Sequence, residues 1–450
     1  MPQTGRVRPR RIIAVGLALL VVAGAVAFVT LKASLGTAPS APPSGSAFRN
    51  FQRPFGDTAP WNVPVAGLPL APRSDEWRDR FWYHSRANKF PDDPDRDPQL
   101  ADHGIMFGLD DDPDNDFSVA VYDASDATTT MKVRQREAWN GLWDLGPDQE
   151  IPWNPGWRAS TGSDAILLVL DPATGRQWAL WGLVQEGSDG SFNDTQCWSH
   201  KLGTGYNRAT HLCAGGATLA ADSTGQVLDY RTYRGNQPGA RGSGIPELAM
   251  LTFPEEVAQG AIRHALMMPV YNTMGGPTCG ADVTSMADPQ LGTTCGRAIA
   301  PAGNLESPSA HRNRCGPLAN ESDATLRKMA VPEGARFALR MSDADIEAWL
   351  DGRDYSGEKR ETARIFAVAL RDYGWFITDT SCFAAEFQVA GSANPRTAVQ
   401  WRDLGITGDG RDLLHGLMTR DRIVTIAPAT NHCVDGTTSE FDCPADITGY

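Results

Sequence analysis

Twelve aspartates crowd into residues 92–126, where Arg96 is the only Lys or Arg. Within that run Asp112, Asp114 and Asp116 have the alternating spacing with which short loops wrap calcium. The sixth position of such a loop, where an EF-hand turn needs glycine, is Phe117, so the segment is not an EF-hand. Calcium is the one cofactor these residues point to, and a solvated acidic loop is the alternative. Paired carboxylates are the other route to chemistry, because glycoside cleavage needs one group to donate a proton and a second to act as base or nucleophile. The chain has 54 acids, so composition alone cannot locate such a pair. Several classes lose ground through missing signatures. The chain has no G-x-S-x-G, no H-E-x-x-H, no phosphate loop and no glycine-rich dinucleotide turn after a strand.

Acids exceed the 41 Lys and Arg residues to give a net charge of −13, which argues against nucleic acid as a partner. Thirteen tryptophans raise the prospect of flat platforms on which sugar rings stack, with Trp178 and Trp181 the candidates for binding a glycan. The bland reading of such residues is core filler.

The address comes from the N-terminus. Arg6, Arg8, Arg10 and Arg11 precede residues 12–31, which carry no charge. Twenty apolar residues at about 1.5 Å each span the roughly 30 Å hydrocarbon core of a bilayer. Basic residues stay on the cytoplasmic side, so the segment is expected to anchor a single-pass protein in the cell membrane with its C-terminal domain outside. The competing reading is secretion after cleavage near Ala27. Eight cysteines follow, all beyond residue 196: Cys197, Cys213, Cys279, Cys295, Cys315, Cys382, Cys433 and Cys443. An even number outside the cytoplasm reads as disulfides, and no C-x2-C spacing supports zinc. Connectivity stays open. The close pairs Cys197–Cys213, Cys279–Cys295 and Cys433–Cys443 would staple loops, leaving Cys315 for Cys382.

The organisation is a cytoplasmic basic tail at 1–11, a transmembrane anchor at 12–31, a Pro/Ser/Ala linker at 32–50 and one globular domain at 51–450. Strand signals dominate its first half. Residues 165–170, a Pro/Gly turn, then residues 177–181 predict a buried hairpin. Residues 117–122 and 264–268 predict further strands. Helices are expected over residues 75–88 with Ser74 as N-cap, from Pro254 to about 260, from a Ser342 cap to about 350, and over 358–373 with Gly374 as terminator. The fold class expected is β-rich α+β: an antiparallel sandwich or jelly-roll-like core, decorated by a few helices and disulfide-stapled loops, after one transmembrane helix.

Four stretches in order resemble a family of secreted bacterial proteins of unassigned activity. They are DTAPWNVPV at 57–65, IPWNPGWRASTGSDAILLVLDPATGRQWALW at 151–181, GSGIPELAMLTFPEEVAQGAIRHALMM at 242–268 and RIFAVALRDYGWFITDTS at 364–381. The resemblance implies an exported, β-rich protein acting on polysaccharide. It carries Asp164, His264 and Asp379 over as candidate catalytic residues converging on one cleft. The family's strand-start histidine is Ala165 here, a departure that points towards binding without turnover. The function expected is a membrane-anchored glycan hydrolase or lyase working on envelope or environmental polysaccharide. The alternative is a non-catalytic glycan- or envelope-binding surface protein.

Overall fold

The computed structural model describes residues 48–57, 59–85, 105–109, 117–135, 149–186, 207–220, 242–283, 285–303, 305–309, 321–381, 385–408 and 410–428. The chain divides into two compact units, Met1–Thr37 and Ala38–Tyr450, and every described residue belongs to the second. The predicted anchor, the calcium loop with Asp112, Asp114 and Asp116, and Cys197, Cys315, Cys382, Cys433 and Cys443 lie outside the described residues. Among the described residues no helix is long and apolar enough to cross a membrane.

In chain order the strands are β1 (Ile105–Met106), β2 (Ala120–Asp123), β3 (Thr129–Gln135), β4 (Glu150–Trp153), β5 (Leu167–Asp171), β6 (Arg176–Trp181), β7 (His211–Ala214), β8 (Gly216–Ala220), β9 (Leu266–Val270), β10 (Arg336–Leu339), β11 (Trp375–Thr380), β12 (Phe387–Gln388) and β13 (Ile423–Ile426). Among the described residues six α-helices accompany them: α1 (Ser74–His84), α2 (Pro254–Ala258), α3 (Asp323–Met329), α4 (Asp343–Asp351), α5 (Gly357–Asp372) and α6 (Pro395–Asp403). The class is α+β, as expected. The sheets are mixed, which corrects the expectation of an antiparallel core. One four-stranded sheet has the order β13-β10-β11-β9 and another β2-β5-β6-β8. In the first, β9 and β11 run parallel; in the second, β2 and β5 do.

Side-chain alternation explains how these layers stack. On β11, Trp375 and Ile377 face a core shared with Phe366 and Leu370 of α5, while Phe376 faces the opposite way. On β5, Leu168 and Leu170 join Phe376 and Met267 in that second core, and Leu167 and Val169 face a third with Trp178 and Leu180. Both strands are therefore buried on both faces, which is why they read as continuous apolar runs rather than alternating ones. Every described tryptophan except the half-buried Trp181 lies in the interior. Burying each such side chain contributes about 1.5–3 kcal/mol. Trp178 is thus core, not a platform.

Local chemistry sets the element ends. Ser342 accepts a hydrogen bond from the Asp345 N–H, and Asp345 returns one, a capping box that starts α4. Gly374 ends the α5 region in the left-handed conformation, and a Cβ there would lie 2.0 Å from the Phe337 carbonyl oxygen. Ser74 does not cap α1. Arg73 occupies that position, and the Ser74 hydroxyl instead donates to and accepts from the backbone of Thr425. Leu70 bridges Ile426, and the Ala71 N–H donates to the Thr425 carbonyl, so the N-terminal stretch is tied to the final strand. Cys279 and Cys295 are bonded to each other as expected, Cys213 is also in a disulfide, and no described cysteine is free.

Candidate active site

The sheet β13-β10-β11-β9 breaks its regularity at one place. Ile377 pairs with Met268 and Asp379 with Pro269, so Thr378 is an extra residue on β11. Proline has no N–H to give the ladder, and β9 is the edge strand where it is tolerated. The Thr378 carbonyl accepts from the buried Ser243 hydroxyl instead, at 2.5 Å. Such a bulge re-aims the residues beyond it. Here those residues are Asp379 and Thr380, at the C-terminal end of the parallel pair.

Two glutamates meet Asp379 there. Glu333 sits in a turn between α3 and β10 that is stapled on both sides: its carbonyl accepts from Ile299, and the Gly334 N–H donates to Ile377 of β11. Gly334 has φ +82°, and a Cβ on it would fall 1.6 Å from the Ile299 carbonyl oxygen, so only glycine permits this approach. Glu306 arrives from a stretch whose neighbours Ser307 and Pro308 accept backbone hydrogen bonds from Gly276 and Thr278. Its carboxyl lies against the backbone of Gly242, where a Cβ would be 2.5 Å from Oε1.

The three carboxyls form one network. Glu306 lies beside Asp379 and the Thr380 hydroxyl, near enough for both to act on its carboxyl. The hydroxyls of Thr380 and Thr273 contact each other, and Thr273 approaches Glu333. Glu333 is 0% exposed, and neither of its carboxyl oxygens has a partner in good hydrogen-bonding geometry. Only the Thr273 hydroxyl and the Glu306 N–H come near enough to favour its charged form. Glu306, Asp379 and Thr380 keep part of their surface exposed, while Glu333 is fully enclosed.

Electrostatics follow from this placement. Burial pushes the Glu306 carboxyl well above the ordinary carboxylate range, and the charges of Asp379 and then Glu333 push it further. Burial does the same to Glu333, with the Asp379 charge second. Like charges in a dry site cannot all ionise together, so the cluster holds protons that isolated carboxyls would have lost. Among the described residues no group of His, Cys, Asp and Glu has the arrangement to hold a metal ion.

The expected trio does not assemble around Asp379. His264 lies five residues before Pro269, the partner of Asp379. At about 3.3 Å per residue that is roughly 16 Å along the strand, at the opposite end of the β9–β11 pair. There it is 1% exposed, with Nε2 at 3.1 and 3.2 Å from the two Glu256 oxygens and Nδ1 at 2.8 Å from the Ala265 carbonyl. Glu256 in turn accepts from the Phe253 N–H at the start of α2. The histidine holds a helix start to a strand start. Asp164 lies in the turn before β5 and closes the open end of the β5–β6 hairpin: the Trp181 indole donates to it at 3.4 Å, and the Gly182 N–H donates to its carbonyl. Asp379 alone joins a carboxyl network. Glu306 and Glu333 were missed. The signal that could have exposed Glu333 is a charged residue between apolar runs in MAVPEGARFAL, at a Pro-Glu-Gly turn.

Compared with known protein families, curated proteins and solved structures, the chain matches none.

Proposed function

We propose that the protein is a membrane-anchored, extracytoplasmic hydrolase of glycans whose acid–base groups are Glu306, Asp379 and Glu333. The observation that carries this reading is the approach of the Glu306 and Asp379 carboxyls to each other beside the sealed Glu333 carboxyl. A proton held on one carboxyl next to the charge of another is the condition for general acid and base to act in one site. Thr380 acts on Glu306 and Thr273 on Glu333, and the two threonine hydroxyls contact each other, so the two glutamates belong to one polar network. No His, Tyr or Arg is among the groups acting on Glu306 and Glu333, which favours hydrolysis over elimination. The burial of Trp178 weighs against an aromatic binding platform.

Amide hydrolysis is a second reading, because two carboxyls in direct contact also suit a water-activating dyad. The test is reducing-end release from a panel of envelope polysaccharides by the full chain, with peptide cleavage run in parallel. Glu306→Gln and Asp379→Asn are each expected to lower turnover about 100-fold or more. Turnover unchanged in both variants sinks the assignment, and cleavage of peptides alone transfers the same residues to the second reading.

A further inference from the structure

Glu333 is 0% exposed, so its carboxyl cannot trade a proton with water directly. Two polar groups come near it, the Glu306 N–H and the Thr273 hydroxyl. An amide keeps its hydrogen, whereas a hydroxyl has one O–H to give and two lone pairs with which to accept. Thr273 is itself buried, and its hydroxyl contacts that of Thr380. Thr380 in turn acts on the Glu306 carboxyl. The order Glu333, Thr273, Thr380, Glu306 therefore runs without a gap from an enclosed carboxyl to residues that keep some exposure.

Backbone pairing fixes both threonines. Thr380 pairs with Val270 at the end of the parallel β9–β11 ladder, and Thr273 bridges Val331, two residues before Glu333. The Met274 N–H donates to the Val331 carbonyl and holds that bridge. The extra residue at Thr378 shifts β11 by one, which sets the face on which Thr380 stands.

We propose that Thr273 and Thr380 are a two-hydroxyl proton wire through which Glu333 restores the proton of Glu306. In that step the Glu333 O–H gives its proton to Thr273 Oγ1, Thr273 gives its own to Thr380 Oγ1, and Thr380 gives its own to the Glu306 carboxylate. Glu306 ends as the acid, Glu333 as the carboxylate, and both hydroxyls are as they began. Run backwards, the same chain refills Glu333. Neither Glu333 oxygen is in good hydrogen-bonding geometry at rest, so a small turn of the Thr273 side chain closes the wire. Among the described residues the titratable groups beside Glu333 are Asp379 and Glu306, and the Asp379 charge together with burial favours a proton on Glu333 between turnovers. The inference rests on the hydrolase reading in one respect: there Glu306 gives its proton to the leaving group and must regain one before the next turnover.

Infrared spectroscopy of the full chain after transfer into D2O tests the wire, at about pH 5 where a raised carboxyl keeps its proton. A protonated carboxyl has a C=O band of its own that moves on deuteration, and the band missing from Glu333→Gln belongs to Glu333. That band is expected to deuterate about tenfold or more slowly in Thr273→Val and in Thr380→Val, because exchange must then wait for local opening. Thr273→Ser and Thr380→Ser keep the hydroxyl and are expected to exchange at the parent's rate. The double Val variant is expected to be no slower than either single one, since one cut already breaks the wire. Either threonine serves as the cut if the Val variant of the other fails to fold. Parent-rate exchange in the Val variants overturns the inference. So does equal slowing in the Val and Ser variants, or the absence of any band that Glu333→Gln removes. In polysaccharide cleavage the Val variants are expected to lower kcat about tenfold or more at unchanged KM, with Ser restoring it. Cleavage with kcat unchanged in the Val variants overturns the wire and leaves the hydrolase reading intact. Exchange that follows the hydroxyls in a chain that cleaves no polysaccharide upholds the wire and overturns the hydrolase reading.

Discussion

Replacing Glu333 by Gln keeps the shape of the side chain and removes one buried carboxyl, so its effect on stability reads the state of that carboxyl. In the folded protein the Glu333 carboxyl is held well above the ordinary carboxylate range, first by burial and then by the Asp379 charge. A raised pKa means that the folded state binds more protons than the unfolded one once the pH passes 4.5, so stability falls as pH rises from there through the folded value. Glu306 contributes in the same direction. The substitution removes the Glu333 share of that fall. Near pH 4.5 both proteins are expected to unfold at similar temperatures, because a protonated Glu and a Gln are nearly isosteric. At pH 8 the variant is expected to be the more stable by about 1–3 kcal/mol, the cost of an unpartnered buried acceptor. With an unfolding entropy of about 2.1 cal/mol/K per residue over a domain of roughly 400 residues, this is about 1–4 °C in Tm. Thermal unfolding followed by circular dichroism from pH 4.5 to 8.5 measures it. A variant less stable than the parent at pH 8, with the gap closing towards pH 5, would refute the reasoning, because it would mean that a donor stabilises ionised Glu333.

Two further substitutions test the scaffold around the cluster. Gly334→Ala must relieve an overlap with the Ile299 carbonyl at positive φ, and should destabilise by more than about 3 kcal/mol or abolish soluble expression, as urea unfolding will tell. His264→Ala leaves Glu256 buried opposite an empty space and should cost about 3–5 kcal/mol in the same assay; if stability is unchanged, the histidine does not hold α2 to β9.

Local signals carried the elements well. The hairpin expected from an apolar run, a Pro/Gly turn and an aromatic run is β5 and β6, with Asp171 accepting from the Ala173 N–H in its turn. The stripe of Ala363, Phe366, Ala367 and Leu370 gave α5, which spans Gly357–Asp372, and Gly374 ends it. The strand expected at 264–268 begins two residues later, because His264 is taken up by Glu256. Pairing direction was not legible: a strand buried on both faces has the same apolar run whether its neighbour is parallel or antiparallel, and β5 has one of each. The cluster was legible only at Asp379. Glu306 and Glu333 come from turns with no periodicity, and what unites them is a bulge opposite Pro269, a contact across more than a hundred residues of chain.

The clasp between residues 70–74 and the final strand bears on how the domain is made. β10, which carries the fully buried Arg336, is flanked by β11 on one side and by β13 on the other. Until residues 423–426 have been synthesised, β10 is an open apolar edge of the kind on which unfinished chains stick to one another. Residues 69–74 also meet that final described strand, so this early stretch lacks its hydrogen-bond partners until β13 exists. A sheet closed in this way is sealed only once residues 423–426 are in place, and a chain terminated before Ile423 would leave β10 without its β13 neighbour.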